Sequence, residues 1–193
     1  MLNDALFYES YEIIGGEKIM SAAAANPYHS SIIVRLIAKI GVYVLENKIG
    51  YAFPDNVDVH FADGSVFKPD FVFISKENAE IIKWKGAIYG VPDMVVEVLS
   101  KSTMNRDVTI KKDAYESNGV KEYWIIDPWK ESISVYLLRG GKFELDDEYI
   151  YYDEDEIKIL SDEEKASVKH EVKVKSVDGL TINLKDIFDW INF

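Results

Sequence analysis

The chain has 193 residues, of which 48% are apolar, 13% aromatic and 29% charged, a composition that fits one folded domain over residues 1–193 and excludes a disordered chain. It contains no cysteine, which excludes a disulfide framework, a thiolate zinc site and a cysteine nucleophile, and its net charge of −12 argues against a surface that is basic all round. The N-terminal sequence MLNDALFYES lacks the pattern of a secretory signal, and no apolar run approaches the ~20 residues of a membrane span, so we expect a soluble cytoplasmic protein with no membrane partner.

The N-terminal part predicts a hairpin, a long helix and several strands. Two β-prone runs flank Gly15-Gly16 within Tyr11–Met20, which is typical of a β-hairpin. Asn26 precedes a proline and apolar residues then recur at helical spacing, which predicts an amphipathic helix from Pro27 to Lys48. Further elements are expected in this order: strands at residues 51–53, 56–61 and 69–75, and a short helix at residues 76–83.

The rest of the chain predicts a strand–helix–strand unit followed by a β-rich tail. The apolar run Pro92–Ser100 is typical of a strand covered on both faces. A helix over Ser102–Ser117 should end near Asn118-Gly119 and lead into a strand at Lys121–Asp127. The tail predicts antiparallel strands at residues 132–138, 142–145, 149–152 and 170–177, and a last helix at residues 184–190.

This order of elements predicts an α/β fold with a mixed β-sheet flanked by helices and with extra antiparallel strands in the C-terminal part. The core of the domain should span about residues 11–127, and a β-rich acidic extension should span about residues 128–193.

The negative charge is concentrated in one segment. Glu144–Glu164 holds eleven acids and one base, a charge of −10, so the other residues together carry about −2. A solvated loop and edge face explains this segment most simply, and a charge-repelling regulatory strip is the alternative. DNA therefore remains a candidate partner.

Two carboxylates lie where apolar residues are expected. Glu97 lies inside the apolar run, and Asp70 shares a strand face with Val72 and Ile74. A buried carboxylate costs several kcal/mol unless it is neutralised, paired or bound to a metal. The simpler alternatives are a strand-end glutamate that reaches solvent or an arginine, and an aspartate that forms a turn after Pro69.

One lysine lies in the middle of an apolar helix face. On a helical wheel, Lys111 falls between Met104 and Ala114 on the face that also carries Tyr115. Its side chain could extend out to solvent, or it could point inward to the buried acids. Lys112, by contrast, falls on the flank of the helix.

Two carboxylates and an ammonium group suit one kind of chemistry. Hard oxygen ligands without cysteine favour Mg²⁺ or Mn²⁺. Such an ion lowers the pKa of the water bound to it and stabilises charge on a phosphoryl oxygen. A nearby lysine can orient the attacking hydroxide or stabilise the charge of the transition state. The residues therefore predict metal-assisted hydrolysis of a phosphodiester.

Four segments resemble those of a known family: Tyr11–Glu17, Lys68–Asp70, Pro92–Ser100 and Gly119–Asp127. The sequence resembles the bacterial family named "putative restriction endonucleases", formerly a domain of unknown function, of the PD-(D/E)XK nuclease superfamily. The resemblance covers about Tyr11 to Asp127 motif by motif.

The resemblance implies that Asp70 and Glu97 are the metal-binding acids and that the carbonyl of Val98 is a further ligand. The usual lysine of the superfamily would stand at position 99, where this chain has Leu99. In this family the lysine is displaced onto the following helix, and Lys111 matches that position. The alternates are Lys101 and Lys112.

Two further residues are candidates for the site, Glu17 from the resemblance and His29 from its position on the face of the first helix that carries Ile33 and Leu36. Glu17 matches the glutamate that ends the N-terminal hairpin and would complete the acidic cluster. His29, at the start of the first helix, would either approach the site or be satisfied locally.

The leading hypothesis is a Mg²⁺-dependent endonuclease that cuts DNA, with Asp70, Glu97, Lys111 and Glu17 in the catalytic site. Cutting both strands of a duplex favours a homodimer. The basic residues near Lys111 and around Trp84 suffice for a weak, salt-sensitive phosphate contact. The alternatives are a catalytically silent scaffold that retains the nuclease fold and a metal-dependent hydrolase of a small phosphate ester.

Overall fold

The structure is a computed structural model that describes residues 11–20, 26–100 and 106–189. In the N-terminal half the elements are β1 (Tyr11–Ile14), β2 (Glu17–Met20), α1 (Pro27–Leu36), α2 (Val42–Asn47), β3 (Gly50–Pro54), β4 (Val59–His60), β5 (Val66–Phe67), β6 (Phe71–Ser75), β7 (Ile88–Tyr89) and β8 (Met94–Val98). In the C-terminal half they are α3 (Lys112–Asn118), β9 (Glu122–Asp127), β10 (Ser132–Arg139), β11 (Lys142–Ile150), α4 (Glu154–Ile159), α5 (Asp162–Ser167), β12 (Glu171–Lys173), β13 (Thr181–Asn183) and α6 (Lys185–Phe188).

Most strands belong to two sheets. The larger sheet has six strands in the order β11-β10-β9-β8-β6-β3, and the smaller has five in the order β2-β1-β5-β4-β7. In the larger sheet β8 and β9 run parallel, and the other neighbours are antiparallel. The fold is the predicted mixed sheet flanked by helices, and β10 and β11 are the predicted extra antiparallel strands.

The larger sheet is covered on both faces by separate apolar clusters. Phe71 and Phe73 pack on one face with α1 and the C-terminal hairpin β12–β13, whereas Val72 and Ile74 pack on the other face with the smaller sheet and α3. All five residues of β8 are buried. This explains why its sequence is an unbroken apolar run rather than an alternating one.

The long first helix forms where the sequence predicts it. Asn26 caps it, because its side chain accepts a hydrogen bond from the His29 backbone N–H at 3.1 Å, and the helix ends at Lys48 in the left-handed conformation, φ 55°. A π-helical turn, Ile37–Gly41, separates α1 from α2. It marks the one departure from the predicted continuous α-helix.

The same helix bears on the expectation that no apolar stretch is long enough to cross a membrane. By length and composition alone, the 21 residues Pro27–Asn47 would suffice. In the fold, however, Ile32, Leu36, Ile40 and Val44 are completely buried in the core. The apolar stretch is thereby accounted for as a core helix.

Helix α3 begins later than its sequence suggests. A π-helical turn, Arg106–Lys111, precedes it, and the helix ends at Gly119 with φ 89°, as the Asn118-Gly119 pair predicts. The predicted start at Ser102 lies outside the described residues.

The acidic C-terminal segment differs most from the sequence-based expectation. One continuous strand, β11, replaces two predicted strands, and two short helices, α4 and α5, replace the predicted loop. Each helix begins with a capping box, formed by Asp153 and Glu156 in α4 and by Ser161 and Glu164 in α5. The acids lie on an edge strand and on these helices, so the expectation of an edge face is confirmed.

Candidate active site

The two predicted acids lie at the same end of two adjacent strands. Asp70 directly precedes β6 and Glu97 lies in β8, and in this antiparallel pair Phe71 is paired with Val96. The backbone N–H of Val98 donates to Asp70 Oδ2 at 2.7 Å. This hydrogen bond from a main-chain N–H to a side chain therefore ties Asp70 to the strand that carries Glu97.

Lys111 points inward to the acids. Its Nζ lies 3.0 Å from Glu97 Oε1 and 2.9 Å from Glu12 Oε1, and the side chains of all three residues are 3–5% exposed. Lys112 lies outside this cluster, with its Nζ 3.9 Å from the centre of the Tyr136 ring. Of the alternates, Lys101 lies outside the described residues. Of the two orientations that the helical wheel left open for Lys111, the structure has the inward one, while the role of this lysine stays a prediction.

Glu12 is a site residue that sequence reasoning missed. It is buried on β1 and also accepts a hydrogen bond from the Lys68 backbone N–H at 3.1 Å. Glu17, the glutamate selected from the sequence, lies exposed beside the hairpin turn, paired across the ladder with Ile14. The structure does not bring Glu17 to the cluster. Strand alternation carried the missing signal, because Glu12 shares a face with Ile14, which packs against the core.

Tyr115 is a second residue that sequence reasoning did not assign to the site. Its hydroxyl donates to Glu97 Oε1 at 2.7 Å, and its side chain is fully buried. Burial, with the neighbouring Glu97 carboxylate, raises the pKa of the Tyr115 hydroxyl well above its usual value of 10. The phenol therefore keeps its proton at neutral pH and acts as a donor.

His29 reaches the site from the other layer of the fold. Its Nε2 lies 3.2 Å from Asp70 Oδ1, and the two side chains are 9% and 15% exposed. The Asn26 cap fixes the first turn of α1 and with it the position of His29. Of the two readings that the sequence left open, the structure favours the one in which His29 approaches the site.

The donor set suits a hard divalent cation in part. Two carboxylates, those of Glu12 and Glu97, contact the ammonium group of Lys111, and the Asp70 carboxylate contacts His29. Within the described residues no group of three or more histidine and acidic side chains is arranged to hold a metal ion. Mg²⁺ commonly uses one or two carboxylates and completes its shell with water and substrate phosphate. Asp70 and Glu97 supply carboxylates of the type that such a site uses.

Comparisons with known proteins agree with this fold. A family model, Uma2, described as "Putative restriction endonuclease", matches residues 8–165. A crystal structure from Anabaena variabilis, titled as a putative nuclease belonging to DUF820, is 22% identical, covers 94% of this chain and 91% of its own, and has a TM-score of 0.70. Comparison with curated proteins gave no match. At this identity the solved structure shows a shared fold.

Proposed function

The chain belongs to the Uma2 family of restriction-endonuclease-like proteins, and we propose that it is a divalent-metal-dependent endonuclease that hydrolyses phosphodiester bonds of DNA. One observation carries the proposal: Lys111 lies 3.0 Å from Glu97, and the residue after Glu97, Val98, donates its backbone N–H to Asp70 at 2.7 Å. Burying these charges together is costly, and phosphodiester hydrolysis uses this combination of groups.

Each residue has a distinct part in the proposed reaction. Asp70, Glu97 and the Val98 carbonyl would hold Mg²⁺ or Mn²⁺, which supplies a lowered water pKa and neutralises phosphate charge when bound. Lys111 would orient the Glu97 carboxylate, which it contacts at 3.0 Å, and would place positive charge beside the scissile phosphate. His29 orients the Asp70 carboxylate, since its ring nitrogen lies 3.2 Å from Oδ1.

The distribution of charge supports DNA as the substrate despite the net charge. The acidic segment lies on β11 and the helices that follow, and β11 is an edge strand of the larger sheet. The candidate site lies on β6 and β8, nearer the opposite edge. Near that edge the exposed Trp84, flanked by Lys83 and Lys85, packs against Tyr51 with ring centres 5.2 Å apart. These lysines are suited to weak, salt-dependent phosphate contacts. A homodimer would allow both strands to be cut.

Plasmid cleavage tests the proposal. Purified wild-type protein is incubated with supercoiled DNA and Mg²⁺, beside Asp70→Asn and Glu97→Gln. We expect each variant to lose about 100-fold or more of the cleavage rate, because each loses a charged ligand. Asp113→Asn is the matched control, since Asp113 is exposed on α3, and it should cleave as wild type does. Equal rates in wild type and both site variants would rule out the assignment.

A catalytically silent binding protein is the second candidate. One observation favours it: the amine of Lys111 already neutralises part of the charge of Glu97 and Glu12 at 3.0 and 2.9 Å, without a metal ion. Calorimetric titration with Mn²⁺ separates the two candidates. Binding near neutral pH supports the nuclease, and a flat titration supports the scaffold.

A further inference from the structure

Two donors converge on a single oxygen of Glu97. The Tyr115 hydroxyl lies 2.7 Å from Oε1, and Lys111 Nζ lies 3.0 Å from the same atom. The two residues are four positions apart, one turn along the helix, so their side chains lie on the same side of it. One oxygen of Glu97 therefore contacts two donors, Lys111 at the end of the π-helical turn and Tyr115 in α3, which continues from it.

We infer that Tyr115 is a positioning residue that orients the Glu97 carboxylate for divalent-metal binding through its hydrogen bond to Oε1. This inference rests on the proposed function and deepens it. It assigns Tyr115 no contact with substrate, because the side chain is completely buried.

The ring and the hydroxyl of Tyr115 have separable roles. The ring packs against Phe67 and Tyr123, with centres 5.1 and 5.2 Å away, and a phenylalanine would fill the same space. The hydroxyl makes the 2.7 Å hydrogen bond to Glu97. A substitution that removes only this oxygen therefore isolates its effect on the carboxylate.

A fixed donor affects metal affinity because a carboxylate that rotates freely loses entropy when it binds an ion. Hydrogen-bond partners of metal ligands hold them in the binding orientation, and their loss commonly weakens metal affinity by about 10–100-fold. The 2.7 Å hydrogen bond from the Tyr115 hydroxyl gives the Glu97 carboxylate a partner of this kind.

Calorimetric titration of Mn²⁺ into wild type and Tyr115→Phe tests the inference. We expect the affinity of Tyr115→Phe to be about 10-fold weaker. The Mn²⁺ concentration for half-maximal cleavage should rise by a similar factor, while the rate at saturating Mn²⁺ stays near that of wild type. If the hydroxyl only stabilised the fold, Tyr115→Phe would not weaken Mn²⁺ binding while leaving the cleavage rate at saturating Mn²⁺ unchanged.

Tyr136→Phe is the matched control. Tyr136 belongs to the same aromatic cluster and stacks on Tyr123 with ring centres 6.3 Å apart, and its loss of a hydroxyl should leave the Mn²⁺ affinity unchanged. Both titrations are run at a temperature at which circular dichroism shows each variant folded. A Tyr136→Phe affinity as weak as that of Tyr115→Phe would overturn the inference.

The outcomes separate this inference from the proposed function. Equal Mn²⁺ affinity in wild type and Tyr115→Phe would overturn the positioning role and leave the nuclease proposal standing. Failure of wild type to bind Mn²⁺ would overturn both.

Discussion

The Asp70 carboxylate accepts a hydrogen bond from the backbone N–H of Val98, 28 residues further along the chain, at 2.7 Å. Because the donor is main chain and follows Glu97 directly, the relative placement of the two acids depends on the pairing of β6 with β8. The geometry of the candidate site is thus a property of the central sheet, where both strands are buried.

The ion pairs of Lys111 are predicted to stabilise the fold as well as the site. Lys111→Met would leave Glu97 and Glu12 buried without their amine, and breaking such a pair costs about 3–5 kcal/mol. Lys112→Met, which loses a partly exposed contact with Tyr136, should cost at most about 1 kcal/mol. Urea unfolding of both variants measures the difference. Equal losses would mean that the buried ion pairs contribute no more than a surface cation.

The two glutamates of the N-terminal hairpin are predicted to behave differently. Glu12→Gln weakens the contacts to Lys111 and to the Lys68 backbone N–H, and we expect it to lower the free energy of unfolding by about 1–3 kcal/mol and to reduce cleavage. Glu17→Gln changes an exposed side chain, and its effect on stability should stay within about 0.5 kcal/mol. Denaturant unfolding and plasmid cleavage on the same preparations provide the comparison. A greater loss of activity in Glu17→Gln would restore Glu17 as the acidic site residue.

Glu122 is predicted to make stability depend on pH. Its carboxylate is buried in β9, and burial raises its pKa above the usual 4.5 although Trp124 Nε1 and the backbone N–H groups of Lys175 and Ser176 donate to it. As pH falls through the window between the raised pKa and 4.5, the folded state takes up this proton before the unfolded state does. The free energy of unfolding of wild type, relative to Glu122→Gln, should therefore be larger at pH 4.5 than at pH 7. Urea unfolding at both pH values measures it, and a difference of opposite sign would contradict the raised pKa.

The acidic segment is predicted to be dispensable for catalysis. Asp153 caps α4, because its Oδ1 lies 2.8 Å from the backbone nitrogens of Asp155 and Glu156. Asp153→Ala removes this cap and should destabilise the helix by about 1 kcal/mol. Amide exchange should accelerate within α4 while plasmid cleavage stays at the wild-type rate. A changed cleavage rate would favour the alternative in which this segment is a regulatory strip.

The secondary structure was predicted best where a local sequence pattern is strong. The Asn26 cap and the apolar spacing that follows it defined the first helix, and the unbroken apolar run identified a doubly covered β8. It was predicted least well in the acidic segment, because the exposed edge strand and the short helices bury few side chains and so leave little periodicity to detect. The N-terminal glutamates show the same limit. Glu17 stood out by its motif, whereas the signal for Glu12 was the weaker one of strand alternation, which places it on the same face as Ile14.

By itself the sequence determined which charged residues lie on faces that are otherwise apolar, namely two carboxylates and an amine. This conflict between charge and expected burial can be recognised from the spacing of residues along the chain. Only the tertiary structure decided how they meet, because the register between β6 and β8 and the packing of α3 over them are long-range properties. Those contacts brought in Glu12, Tyr115 and His29, whose side chains lie in separate elements and approach one another only when the sheets pack.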